Sequence, residues 1–387
     1  MALLYDPGTE MERVHPAGFF IASLPGSIER YQLIVNGQQL DDPYRFGPII
    51  TNFDLHLHTE GTLHRAWETF GAHAQTIDGV HGIRFAVWAP SALTVTVTGA
   101  FNNWHTARHP MRLRDGGVWE LFIPGIRSGD VYKYHVKSQY NDSAQLKCDP
   151  YAFRAEVPPL TASIVHEWQN YEWRDKDWLE KRAQTQWLEA PMSVYEVHLE
   201  SWMKDADGKP LTYRQFAQTL VEYVRRLNYT HIELMPIMEH PYSGSWGYQV
   251  TGFFAATSRF GSPEDFMYFV DACHQASIGV ILDWVPNHTA WDSNLVTEHP
   301  EWYLRDWKGD FRPTAWWDWD DIIELDYSQE SVRRYMADAM VHWVREFDLD
   351  GYRCDVAGFV PTDFWEQVRR ELDAVKPVFL LAEWESK

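Results

Sequence analysis

Residues 279–288 read Gly279-Val280-Ile281-Leu282-Asp283-Trp284-Val285-Pro286-Asn287-His288. The run starts apolar and does not alternate with polar residues. That pattern suits a strand buried on both faces, as in a parallel sheet covered by helices. A carboxylate closes the run. Burying it there is costly unless it is hydrogen-bonded or used.

The same rhythm extends outward from this stretch. Ser193–Leu199 and His231–Met235 read as earlier strands, and Gly351–Val356 and Val378–Ala382 as later ones. Helical spacing fills the gaps over Tyr213–Leu227, from Ser262 through Cys273, over Ser331–Phe347 and over Pro361–Val375. Ser262-Pro263 is a helix start, with proline inside the first turn. Five strands alternating with helices call for a parallel α/β sheet. A doubly wound sheet can be made of five strands. A (β/α)8 TIM barrel needs eight, so as a barrel this one is incomplete, with strands 1 to 5 only.

Three successive strands carry charge to one end. Strand three ends in Asp283, strand four in Arg353-Cys354-Asp355 and strand five in Glu383. Barrel active sites form at the C-terminal ends of the strands. Asp355 and Glu383 lie about one strand–helix unit apart, which makes them rim neighbours. Two facing carboxyls suit glycoside chemistry: one attacks the anomeric carbon and the other protonates the leaving oxygen. Arg353, two residues before Asp355, shares its strand face and is expected to hold it ionised. Glu383, beside Trp384, is expected to be partly desolvated, as a proton donor requires. A lone strand-end acid is often only a helix cap; three on consecutive strands argue against that.

The front of the chain is different. Ile83–Trp88, Val95–Gly99, Val118–Ile123 and Val131–Val136 alternate and are separated by turn residues, which indicates a β-sandwich. The expected division is an N-terminal β-rich module at 1–75, a sandwich at 76–165, a linker or wrap-around segment at 166–190 and a barrel at 191–387. Phe19–Leu24 and Tyr31–Val35 read as short strands, and Asp54 to His58 as a polar passage.

Composition narrows the function. The net charge of −21 repels phosphate backbones and anionic lipid, so nucleic acid and membrane are not expected partners. A neutral polysaccharide is not repelled. Many of the 20 tryptophans belong in the core, but such an excess is also a mild sign of carbohydrate binding, because flat aromatic faces stack on sugar rings. Cys148, Cys273 and Cys354 are too scattered for a disulfide framework or a zinc site. No targeting segment or apolar span is seen, and a cytoplasmic location fits.

Asp283 through His288, Gly351 through Asp355 and Leu381-Ala382-Glu383 resemble the first three signatures of the α-amylase clan. The resemblance implies Asp355 as nucleophile and Glu383 as acid/base. It implies Asp283, His288 and Arg353 around the reacting glucose, with Tyr248 of Trp246-Gly247-Tyr248-Gln249 stacked under its ring. Trp246 and Asn287 join the expected substrate-binding set, with no metal and no cofactor. Residues 15 to 286 are similar to glycogen (1,4-α-glucan) branching enzymes, through Asp42-Pro43-Tyr44-Arg45-Phe46, Phe101-Asn102-Asn103-Trp104 and Glu233-Leu234-Met235-Pro236. The part from about 287 to 387 departs: Asn287-His288-Thr289 looks like hydrolytic amylase relatives. The clan's fourth signature, a His-Asp, has no candidate after Glu383, so the site is expected to be incomplete and this fragment inactive. The implied function is α-glucan branching, with amylase-type hydrolysis and non-catalytic glucan binding as alternatives. The expected ligands are glycogen, amylose and starch.

Other motifs weigh less. His56, His58 and His64 form a loose cluster read as a polar surface loop rather than a metal site. Asp318, Asp320 and Asp321 with Asn287 suggest calcium only weakly. Trp316, Trp317 and Trp319 either stack on glucose or pack under a loop. Trp104 and Trp119 are glucan-holding candidates on the sandwich, one of them expected in the core. Neither a phosphate loop nor a Ser-His-Asp spacing stands out.

Overall fold

The computed structural model describes residues 2–4, 8–24, 26, 30–140, 143–187, 189–306, 308–312 and 321–384. Gln32–Val35 pairs with Ala2–Leu4 and with Gln38–Leu40, and Phe19–Ile21 pairs with Glu12–His15. The passage Asp54 to His58 is not a loop. It lies in a helix, Asn52–Thr59, opened by reciprocal bonds between Thr51 and Asp54. A cap can start a helix where no apolar periodicity announces one.

The sandwich is built from β1 (Gly71–Ile77), β2 (Val80–Trp88), β3 (Ala92–Gly99), β4 (Val118–Pro124) and β5 (Val131–Ser138). β2 pairs antiparallel with β1 and β4, and β3 pairs antiparallel with β5 in the second sheet. Ile83, Phe85 and Val87 of β2 meet Val95, Val97, Tyr132, Tyr134 and Val136 across the gap. β1 is small and polar (Gly-Ala-His-Ala-Gln-Thr-Ile) and gives no alternation to read, and it runs across the boundary expected at residue 75.

The second half holds β6 (Val194–Val197), β7 (His231–Leu234), β8 (Gly279–Trp284), β9 (Gly351–Cys354) and β10 (Phe379–Ala382), in one parallel sheet ordered β6-β7-β8-β9-β10. Each strand lies beside its sequence neighbour. A doubly wound sheet reverses its order partway, so these five strands follow barrel order. Between β6 and β7 comes α1 (Tyr213–Arg226), then α2 (Pro263–Gln275), α3 (Glu330–Phe347) and α4 (Thr362–Asp373) before the later strands. Ser262 caps α2 through a reciprocal pair with Asp265. All six residues of β8 are buried, as its unalternating sequence requires. Cys273 and Cys354 are buried free thiols; Cys148 is half-buried and also free.

Segment 166–190 packs on the sheet. Its helix Lys176–Gln184 buries Trp178 and Arg182 against Asp350, which precedes β9. Asp350 also accepts from the Val280 amide and from His274, whose other ring nitrogen meets Asp175 at 2.9 Å. This network lies at the starts of β8 and β9, the rim opposite the strand-end acids. No helix among the described residues is long and apolar enough to cross a membrane.

Candidate active site

Strand register places the charged side chains. Asp283 of β8 stands opposite Arg353 of β9. Alternation then puts Arg353 and Asp355 on the same face. Arg353 bonds Asp283 at 3.0 Å, Asp355 at 2.8 Å and Glu383 at 3.0 Å. One guanidinium fork therefore spans three carboxylates from three consecutive strands. The backbone is drawn in as well: the Val356 amide donates to Glu383 Oε2 at 3.0 Å.

Burial governs the charge states. Asp355 is 8% exposed, and its carboxyl is pushed up to about 6. Desolvation is the largest cause; Arg353 opposes it, and the charge and hydrogen bond of Glu383 add to it. Arg353 acts in the expected direction, favouring the ionised form, but burial outweighs the ion pair, so Asp355 is charged near neutral pH and not in acid. Asp283 is pushed up to about 7, again mainly by burial. Glu383 is less enclosed. Its side chain is 44% exposed beside an exposed Trp384, so its cover is only partial and much less than that of Asp355.

The loop after β7 supplies the neutral wall. Gly247 has φ +94°, and a Cβ there would sit 2.0 Å from the Pro236 carbonyl oxygen, so only glycine fits. The turn delivers Tyr248, whose hydroxyl donates to Asp283 at 2.7 Å. Arg259 fastens the loop by donating to the His240 and Pro241 carbonyls at 2.6 and 3.2 Å and to Glu239 at 3.2 Å. His288 Nε2 donates to the Tyr248 carbonyl at 2.9 Å, and burial pushes its pKa down to about 4, so the ring is neutral.

Tyr248, His288 and Asp355 line a cleft of about 290 Å³ together with Ser245, Gln249 and Asp321. Asp283, Arg353 and Glu383 are not among its lining residues, and neither are Asn287 and Trp246. Asn287 is 1% exposed and sits against His288 Nδ1 at 2.9 Å, supporting the ring from behind. Trp246 is 58% exposed, with its ring 6.3 Å from that of His198. Sequence reading missed the roles of Gln249 and Asp321, which bond across the cleft mouth at 2.6 Å. It also missed Glu233 of β7, buried beside the charge of Arg353 with its carboxyl raised mainly by burial. The alternation of His231 and Glu233 was the available signal for the latter.

The remaining candidates separate. His56 pairs with Glu60, His58 packs between Phe70 and Trp88, and His64 lies near Glu371, so the three do not converge. Trp119 is core, donating to the Ala89 carbonyl, whereas Trp104 is 39% exposed. Trp316, Trp317, Asp318, Trp319 and Asp320 lie outside the described residues.

Comparison with known proteins agrees with this geometry. Residues 69–152 match carbohydrate-binding module 48 (isoamylase N-terminal domain), and residues 217–377 match the alpha amylase catalytic domain. The chain is 46% identical over 364 residues to the 1,4-alpha-glucan branching enzyme GlgB of Rubrobacter xylanophilus, covering 92% of this chain and 50% of that protein. It is 45% identical over 384 residues to the enzyme of the same name from Thermosynechococcus vestitus, with 92% and 50% covered. The chain thus spans about half the length of the curated relatives it matches. Among solved structures, a putative alpha amylase from Salmonella typhimurium superposes with TM-score 0.64 at 24% identity, over 81% of this chain and 49% of that one. Pullulanase from Bacillus acidopullulyticus gives 0.64 at 21% identity, over 81% and 41%. These two establish the fold. A sandwich followed by barrel-ordered strands, with carboxylates on three successive strand ends, is what the sequence matches describe: the chain belongs to the α-amylase family, on its glycogen branching enzyme branch.

Proposed function

We propose that this chain carries the nucleophile and acid/base of a retaining α-glucan branching enzyme. The observation that carries the reading is Arg353 bonded at once to Asp283, Asp355 and Glu383 at the edge of one cleft. Ionised Asp355 attacks C1 of an α-1,4-linked glucose, while Glu383 gives its proton to the departing O4. A glycosyl ester on Asp355 results. Glu383, now a base, takes the proton from the 6-hydroxyl of another chain, whose oxygen displaces Asp355 and leaves an α-1,6 branch. Asp283 and neutral His288 hold the ring in the cleft, and Tyr248 lies under it. The sandwich holds the polymer through exposed aromatics such as Trp104. Glycogen, amylose and starch are the substrates of this reading. The free thiols accord with a reducing cytoplasm.

Hydrolysis is the second reading, favoured by Asn287-His288-Thr289 and the excursion that follows. Amylose treated with the protein separates the two. New α-1,6 anomeric NMR signals without reducing ends support transfer. Reducing ends alone sink transfer in favour of hydrolysis. Retention on amylose with neither product leaves a glucan-binding protein. Where turnover is seen, Asp355→Asn lowers kcat by about 10³-fold or more, the order expected for losing a residue that acts as part of a catalytic unit.

A further inference from the structure

Val356 follows Asp355 at the end of β9 and has φ 43° and ψ 45°. That is the left-handed region, which a β-branched residue rarely enters. Among the described non-glycine residues with positive φ it is the only β-branched one. Asn36, Asn103 and Asn228 fill other such positions, where a short polar side chain lowers the cost. Backbone strain of this kind persists only where the surrounding structure over-determines it, and it clusters at functional sites.

The end of β10 over-determines it. The Glu383 amide donates to the Cys354 carbonyl, the Val356 amide to Glu383 Oε2 and the Ala357 amide to the Glu383 carbonyl, each at 3.0 Å. The turn at Val356 thus presents two successive amides to one residue, one to its side chain and one to its backbone. Gly358 adds a close approach: a Cβ there would lie 2.1 Å from the Trp384 ring. Phe359 meets that ring edge-on, with centroids 5.4 Å apart. Glu383 and the residue after it are therefore docked on the turn that carries Asp355. The other Glu383 oxygen meets Arg353 at 3.0 Å. That guanidinium also serves Asp283 and Asp355, and the Glu383 side chain is 44% exposed. One shared donor leaves a carboxyl free to turn, whereas a donor on each oxygen fixes its plane.

We propose that Val356 is a positioning residue: its left-handed turn aims the backbone amide at Glu383 and holds that carboxyl beside Asp355. The inference rests on the roles given above to these two carboxylates. An amide N–H only donates, so it orients Glu383 without competing for the proton that Glu383 gives and takes. Replacing Val356 by its α-hydroxy acid turns the amide into an ester, which removes this one donor and keeps the isopropyl group. Val356→Pro removes the donor and forbids positive φ as well. The ester variant keeps the test open if the proline variant does not fold. Carbon-13 NMR follows the Asp355 carboxyl. It titrates lower in the ester variant than in the wild type, because the charge and hydrogen bond of Glu383 help to raise it. Arg353, Asp283 and Tyr248 still face Asp355 there, so the change reads Glu383. With amylose, kcat falls about tenfold at unchanged KM in the ester variant, the pattern of a misplaced acid rather than of lost binding. An Asp355 midpoint equal in the two proteins overturns the proposal. So does a rise in KM at unchanged kcat. Absence of turnover in the wild type counts against the proposed function alone, because the titration needs no substrate and still decides the positioning role.

Discussion

Arg353 and Asp355 sit two residues apart, and that spacing alone foretold their contact. The sign of the Asp355 shift was not foretold, because it depends on how much of the fold closes over the carboxyl. Its ordinary value is 3.8 and burial raises it to about 6, so Asp355 is charged only above that pH. The proposed branching reaction needs it charged. With amylose as substrate, kcat/KM therefore climbs with pH along a limb centred near 6, and a limb centred near 4 would show that Arg353 dominates after all. The same shift has a stability sign. Asp355 and Asp283 bind protons more tightly folded than unfolded, so the stability each contributes is full below about 4 and lost as pH rises through about 6 and 7.

At the element scale, the strands and helices with strong periodicity were legible, and those set by caps or small residues were not. Helix Asn52–Thr59 depends on a Thr51–Asp54 exchange, and β1 on pairing with β2. The helix Lys176–Gln184 adds a connection that no local pattern shows, since Asp175, Arg182 and Trp178 meet α2 and the start of β9 far along the chain. His274 is the centre of that joint, and Asp350 and Asp175 raise it to about 9 against the cost of its burial. A raised histidine contributes stability that is complete below about 6.5 and lost as pH rises through about 9. His274→Gln should lower stability by roughly 3–5 kcal/mol, because it leaves buried carboxylates short of a partner. Urea melts at pH 6.5 and 9.5 check this: the wild type weakens between them and the variant does so much less. Equal losses in both would refute the assignment.

Across the whole molecule, the first quarter of the chain is fastened to the barrel by single buried acids. Asp338 of α3 accepts from the Arg65 and Ala66 amides at 3.1 and 2.8 Å, and Arg334 donates to it at 3.0 Å. Asp338→Ala should cost about 1–3 kcal/mol by leaving those buried donors unmet. Limited proteolysis should then cut first between Thr59 and Gly71, and an unchanged digestion pattern would refute the clamp. The sequence by itself determined the strand–helix rhythm, the sandwich strands and which carboxylates reach the strand ends. Those depend on periodicity and spacing, which are local properties of the chain. Only the tertiary structure decided the barrel order of the sheet, the burial that raises Asp355 and Asp283, the exposure of Glu383 and the retreat of Asn287 behind His288. Each of these depends on which distant segments exclude water from a given atom, and no local pattern records that.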